Sequence, residues 1–276
     1  MRLLDKKATK TSLGCLSKGW YQDEFNKKYL VKGNSSPSLY GISGYEPFSE
    51  VLAYRLGKLL DLPVIEYWLA PAVDFPEIHT YNCDWVSICP EISRGRSQLV
   101  SYCYWADQKN KKEVKDYFNF YLKSELSNES LIRLLVFDAV IGNPDRHLNN
   151  FDLLVGEHTE LAPIFDNGAA LLSTIAESAL KKSNGVGFDK AKPFKPTHDQ
   201  QIKLLKQRFP DVTVFNVNTK NVYNRWIVEC EDIFQLLSTK RAEAIKHYVK
   251  QRLVYLEKFN STITHGGEVS AINVFR

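Results

Sequence analysis

A dense apolar pattern covers residues 131–141, where Leu131, Ile132, Leu134, Leu135, Val136, Val140 and Ile141 recur at helical rather than alternating spacing. Gly142-Asn143-Pro144 stops the pattern, which predicts a buried helix that delivers the chain into a loop. Asn128-Glu129 offers this helix an N-cap and an early acid. Two short apolar runs follow, 151–155 and 161–165, and the polar connector Gly156-Glu157-His158-Thr159-Glu160 between them predicts a β-hairpin.

Upstream, residues 9–32 read as β-rich, with one strand ending in Tyr29-Leu30-Val31-Lys32. Residues 33–45 are rich in turn formers and too polar for a core, so a mobile flap is expected there. An amphipathic helix is predicted over 48–60, an extended run from Leu62-Pro63-Val64, and a buried strand over 84–90 that Pro90 ends. Residues 95–128 read as a partly helical insertion. Residues 173–198, with Ser183-Asn184-Gly185-Val186-Gly187, Pro193 and Pro196, read as a long loop. Helical patterns return at 201–209, 226–237 and 240–259, the last with a stripe of Ile245, Tyr248, Val249, Leu253, Tyr255 and Leu256. The polar stretch 262–276 is expected to be poorly ordered. No internal repeat is evident.

Composition narrows the class. With 276 residues, 44% hydrophobic and 25% charged, the chain suits one large domain or two lobes sharing a cleft. Its apolar runs are too short to span a bilayer, and its first residues, Met1-Arg2-Leu3-Leu4-Asp5-Lys6-Lys7, lack the apolar region of a secretory signal, so a cytoplasmic location is expected. Five cysteines without a C-x-x-C pair argue for reduced thiols rather than a disulfide framework or structural zinc. A net charge of +4 is too small to argue nucleic-acid contact.

The hairpin concentrates the candidate chemistry. In an antiparallel pair, the residue before the first strand and the residue after the second lie side by side at the open end, and these are Asn150 and Asp166. An amide oxygen beside a carboxylate suits a hard cation such as magnesium. Asp145, in the loop, would hang over the same end, where a carboxylate can accept a proton from a hydroxyl nucleophile. Lys32 could merely mark where a strand re-enters water, and Glu50 could merely complement a helix dipole. Alternatively the two form a strand-to-helix pair that fixes a phosphate-binding lysine. Asn-Pro-Asp and Asp-Asn-Gly are each ordinary turn chemistry when taken alone.

Asp145-Arg146-His147-Leu148-Asn149-Asn150 resembles the D-R-H-x-x-N catalytic loop of phosphoinositide-kinase-like enzymes, and Phe165-Asp166-Asn167-Gly168 stands where those carry their metal-binding aspartate. With Tyr29-Leu30-Val31-Lys32 and the run 47–57, the chain is more closely similar to the HipA-like serine/threonine kinases, the cell-translocating kinases among them. The resemblance covers most of residues 10–170. It implies an α+β, two-lobed protein-kinase-like fold, with a small β-rich lobe over 1–90 and a larger, mainly helical lobe over 91–276. It also implies ATP and Mg2+ as cofactors and a protein substrate with a serine or threonine hydroxyl. The roles it implies are Asp145 as base, Asn150 and Asp166 on the metal, Lys32 on phosphate with Glu50 holding it, and Arg146 and His147 as support. Gly14, Cys15, Ser17 and Lys18 would form the loop over the nucleotide, and Ile88 to Glu91 the adenine-binding hinge. Autophosphorylation is implied within residues 11–43, with Ser12 and Ser17 as candidates. An antitoxin-like protein partner is implied too, although the chain has little room for an extra domain ahead of residue 14. The alternatives are a lipid kinase, which Lys181, Lys182, Lys190, Lys192 and Lys195 would suit, and a pseudokinase-like binding module.

Overall fold

The computed structural model describes residues 5–6, 16–35, 44–92, 97–180, 190–210 and 217–257. The strand-rich lobe opens with β1 (Asp5–Lys6), β2 (Leu16–Gln22) and β3 (Lys28–Ser35). Asp23 shapes the turn between β2 and β3. Its carboxylate accepts from the backbone N–H groups of Phe25 and Lys27, both at 2.9 Å, while Asn26 takes a φ of 60°. Helix α1 (Glu46–Leu59) follows, then β4 (Trp68–Pro71) and β5 (Trp85–Pro90). The five strands form an antiparallel sheet in the order β1-β2-β3-β5-β4. The strand that ends in Pro90 is therefore interior, as its apolar character requires. One face of the sheet buries Tyr21, Tyr29, Val31, Phe75, Ile78, Val86 and Ile88 as a small separate core.

Residues 33–35 depart from the expected flap, because Gly33, Asn34 and Ser35 continue β3 and are buried. Polar residues are tolerated there because they are paired. The Asn34 amide exchanges hydrogen bonds with the Tyr81 backbone at 2.6 and 2.7 Å, and the Ser35 hydroxyl donates to Glu46. The remaining flap positions 36–43, like positions 7–15 and the stretch 262–276, lie outside the described residues.

The helical lobe contains β6 (Gln98–Ser101), α2 (Tyr102–Asn110), α3 (Tyr117–Leu122), α4 (Asn128–Ile141), β7 (Asp152–Val155), β8 (Thr159–Leu161), α5 (His198–Arg208), α6 (Thr219–Glu229), α7 (Glu231–Phe234) and α8 (Thr239–Glu257). The expected hairpin forms, but β8 starts at Thr159 and ends at Leu161, and β6 adds a third strand on the other side of β7. After Ala162 the chain leaves the hairpin to meet residues 63–65: the Ile164 N–H donates to Pro63 O at 2.6 Å, and the Ile65 N–H to Ile164 O at 2.9 Å. Those bonds stitch the hairpin to the segment after α1.

Helix α4 is capped by Ser127 rather than Asn128, the Ser127 hydroxyl accepting from the Ser130 N–H. It packs against α5 and α8, whose stripe of Ile245, Tyr248, Val249, Leu253 and Leu256 is buried as its spacing requires. Helix α1 faces the large core. Trp226 of α6, fully buried, donates its indole N–H to the Leu52 carbonyl at 3.0 Å, and Arg55 pairs with Asp232. No helix among the described residues is long and apolar enough to cross a membrane.

Gly142 ends α4 at a φ of 64°, and a Cβ there would meet the Tyr248 ring and hydroxyl. Gly142→Ala combines left-handed strain with this clash, so it is expected to lose about 1–3 kcal/mol of unfolding free energy in denaturant titration. Stability equal to the parent's would show that the helix end tolerates a side chain.

Candidate active site

The end of α4 sets the loop that follows. The N–H groups of Gly142 and Asn143 both return to the Asp138 carbonyl, and the Asn143 side-chain oxygen then accepts from the Asp145 N–H at 3.0 Å. Within the loop the His147 N–H donates to Asp145 O at 2.7 Å, the Asn150 N–H to His147 O at 2.8 Å, and the Asn150 amide to Asp145 O at 3.2 Å. These short-range bonds hold Asp145 and Asn150 on one compact turn. His147 supports it by accepting from the Asn149 N–H at 3.2 Å.

Arg146 lies under this turn with 1% exposure. Its guanidinium donates to both Asp138 oxygens at 3.0 and 3.1 Å, to the Asn167 side-chain oxygen at 2.7 Å, and through one nitrogen to the carbonyls of Asn150 at 3.0 Å and Phe165 at 2.6 Å. A buried charge is tolerated only when paired and hydrogen-bonded, and this one is paired on every side. The last two bonds bring residue 150 and the chain leading to Asp166 onto a single donor. Arg146 therefore joins the loop end at Asn150 to the chain that enters Asp166.

Asp166 itself takes a left-handed φ of 59°, which aspartate tolerates better than most residues. Its N–H donates to the Tyr67 hydroxyl at 3.4 Å. Its carboxylate lies 2.6 Å from the Lys32 ammonium, and Glu50 lies 2.5 Å from the same nitrogen. The second Glu50 oxygen accepts from the Asn167 N–H at 2.7 Å, so this carboxylate joins strand β3 to the turn at residues 166–168. The expected Lys32–Glu50 pair is present, and Asp166 joins it.

Burial alone would depress the Lys32 ammonium, but Asp166 and Glu50 more than offset it and hold its pKa well above the usual lysine range. Burial would likewise raise Asp166, yet Lys32, Arg146 and Lys18 keep its carboxyl below the ordinary value. Glu50 stays above the usual carboxylate range because burial outweighs Lys32. The Asp145 side chain is 42% exposed, with Lys192 at 2.8 Å and the His147 ring at 4.0 Å.

The nucleotide-loop assignment is partly displaced. Gly14, Cys15 and Ser12 lie outside the described residues, whereas Ser17 and Lys18 belong to strand β2 rather than to a loop. Lys18 is the cross-strand partner of Lys32, so both lie on the same face of the sheet. Ser17 accepts from the His79 N–H at 2.9 Å. Ile88 is not at a hinge. It sits mid-strand in β5 with Val31 on one side and Trp68 on the other, 2% exposed, so adenine has no access to it. Glu91 does lie just past the strand, where its N–H donates to Lys28 O at 3.0 Å and its carboxylate pairs with Lys28.

Sequence reasoning gave no role to Asp138, Asn167, Tyr67 and Ser49, and read Lys192 only as part of a basic patch. Asp138 had a signal, since it is the only acid in the apolar half of its helix. Ser49 donates to the carbonyls of Asn167 and Ala170 at 2.8 and 2.9 Å, a contact across 118 positions that no local pattern encodes. For magnesium, the site offers an amide oxygen from Asn150 and a carboxylate from Asp166, on segments that Arg146 joins, and this donor set fits a hard cation that takes few protein ligands.

A family model described as HipA-like C-terminal domain matches residues 6–213. Among solved structures, the Helicobacter pylori proinflammatory kinase CtkA aligns with a TM-score of 0.64 at 18% identity, over 92% of this chain and 95% of that one. HipA of Shewanella oneidensis, solved with HipB and operator DNA, aligns with a TM-score of 0.46 at 13% identity, over 92% of this chain and 66% of that one. A Golgi casein kinase with Mn/ADP bound aligns with a TM-score of 0.43 at 13% identity, over 94% of this chain and 73% of that one. No curated protein matches the chain in sequence. The fold is kinase-like, with a small sheet lobe and a helical lobe.

Removing Lys32 leaves the Glu50 and Asp166 carboxylates without their shared cation, whereas removing Glu50 leaves Lys32 paired with Asp166. Lys32→Met is expected to cost about 3–5 kcal/mol in unfolding experiments, and Glu50→Gln less, because Asp166 still pairs Lys32. The double variant should cost less than their sum, with a coupling of about 0.5–3 kcal/mol. Additive losses would mean that the pair does not exist in solution.

Proposed function

The chain belongs to the HipA-like C-terminal domain family, and from that premise we propose that it transfers the terminal phosphoryl group of ATP to a serine or threonine hydroxyl of a protein. The observation that carries this reading is the three-way contact of Lys32 with Glu50 and Asp166, which lies beside the turn bearing Asp145 and Asn150. Phosphoryl transfer needs positioning and charge neutralisation more than covalent chemistry, and these residues supply both.

Lys32, fixed by Glu50, would contact the nucleotide phosphates from the sheet side, with Lys18 on the same face. Asn150 and Asp166 would hold magnesium, which supplies positive charge at the phosphates when bound. Asp145, exposed on the turn, would orient the acceptor hydroxyl and take its proton. Arg146 has no free part in this chemistry, because its donors are all engaged in the protein. The family suggests a protein acceptor and an antitoxin-like partner.

Self-modification would fall within residues 11–43. Ser35 is buried against Glu46 and Ser17 is tied to His79, so mass spectrometry after ATP treatment is expected to find phosphate at other hydroxyls of that window. An Asp145→Asn chain should carry none. Phosphate only outside the window would contradict this.

Incubation with radiolabelled ATP, with and without magnesium, tests the main reading against protein and lipid acceptors. Label should enter protein only when magnesium is present. Asp145→Asn should abolish transfer while Mg-ATP still raises the melting temperature, because this side chain acts on the acceptor. Asp166→Asn should lose most of that magnesium-dependent rise. Transfer by Asp145→Asn at the parent rate would remove Asp145 from the mechanism, and label in lipid alone would replace the protein acceptor.

A further inference from the structure

We propose that Lys192 is a catalytic residue, an ammonium held on the base before transfer and delivered to the moving phosphoryl group during it; this rests on the kinase reading above. Its Nζ lies 2.8 Å from an Asp145 oxygen, and the two side chains are 51% and 42% exposed. An exposed ion pair of this kind contributes little to stability. The main chain beneath it is nevertheless held closely.

Gln201, 1% exposed on α5, donates its amide to the Lys192 carbonyl at 3.0 Å and accepts from the Phe194 N–H at 3.2 Å. The Ala191 N–H donates to Pro196 O at 2.9 Å, and Lys190 bridges to Thr197. The Phe194 ring packs edge-on against Phe118, with centroids 5.1 Å apart, and lies 6.3 Å from that of Phe151, the residue after Asn150. A buried amide and an aromatic anchor thus fix a short turn whose exposed lysine reaches the base. Lys195, on the same turn, is exposed as well.

Among the described residues, Lys32 is shared by Glu50 and Asp166, and Arg146 is consumed by the bonds that assemble the turn. Lys18 lies across the sheet from Lys32, on the phosphate side. Lys192 is the described lysine seated on the Asp145 carboxylate. In the transfer step the hydroxyl oxygen bonds to the γ-phosphorus, the bridging bond to ADP breaks, and the hydroxyl proton passes to the Asp145 carboxylate. Asp145 is then neutral and no longer attracts Lys192. The released ammonium can follow the charge on the phosphoryl oxygens, so the proton transfer and the charge neutralisation are coupled.

The test is steady-state transfer from labelled ATP to a degenerate serine/threonine peptide library by the parent, Lys192→Ala, Lys192→Arg and Lys195→Ala, with melting temperatures in Mg-ADP. Lys192→Ala is expected to lose roughly ten- to a hundredfold in kcat with little change in the KM for ATP or in the Mg-ADP melting shift. Lys192→Arg should recover much of the rate, and Lys195→Ala should match the parent. Lys192→Ala turning over at the parent rate would overturn the proposal. So would a loss that Lys195→Ala reproduces, or one that follows weakened Mg-ADP binding. An inactive parent would instead overturn the kinase reading itself.

Discussion

A single buried guanidinium holds the centre of this molecule together. Arg146 has no access to water, so each of its N–H groups must find an oxygen inside the protein, and the partners it finds come from three separate places. Asp138 lies in the last turn of the buried helix, Asn150 at the end of the loop, and Phe165 and Asn167 on the far side of the hairpin. Satisfying one cation therefore fixes the relative positions of helix, loop and hairpin end. Asp138, fully buried, has its carboxyl pushed up by burial, while Arg146 and Asn143 oppose the shift. Neither charge could be kept without the other.

The second constraint links the lobes. Lys32 comes from the sheet, Glu50 from the helix after it and Asp166 from beyond the hairpin, so the cleft is spanned by charge contacts before any nucleotide binds. Helix α1, which carries Glu50, is gripped from behind by Trp226 and Arg55 and from its first turns by Ser49. Past Gly168 the chain is held in a similar way. Arg241, also fully buried, donates to the carbonyls of Leu172 at 3.0 Å and Ile175 at 2.6 Å and to Glu177 at 3.1 Å, and stacks over the Tyr45 ring. The segments past Gly168 are thus anchored by an internal ion pair and hydrogen bonds.

What could be read in the sequence follows from how far each interaction reaches along the chain. The helix over 128–141, the hairpin, the strand carrying Lys32 and the Lys32–Glu50 pair all leave local signatures, in periodicity or in a motif. Asp145, Asn150 and Asp166 could be named because a hairpin converts sequence order into proximity. Asp166 joining Lys32 spans 134 positions and is set by how the lobes close, which no periodicity records. Gln201 beneath Lys192 was hidden for a related reason, since a glutamine in an amphipathic helix reads as surface until its partners are known. Of the hinge expected over Ile88 to Glu91, Ile88 lies inside the strand, because an apolar run shows that a strand is buried, not which of its residues reaches the edge. Asn34 and Ser35 misled in the opposite sense: polar residues read as solvent-facing, yet here Tyr81 and Glu46 satisfy them inside.

The function proposed above asks one operation of this cleft, moving a phosphoryl group from a nucleotide to a hydroxyl. Phosphorus NMR of the chain with ATP, magnesium and a serine/threonine peptide library tests that most directly, because it follows every phosphate at once. ATP signals should give way to those of ADP, with the phosphate appearing as a monoester on the peptides. Unchanged ATP, or ADP matched only by inorganic phosphate, would contradict it.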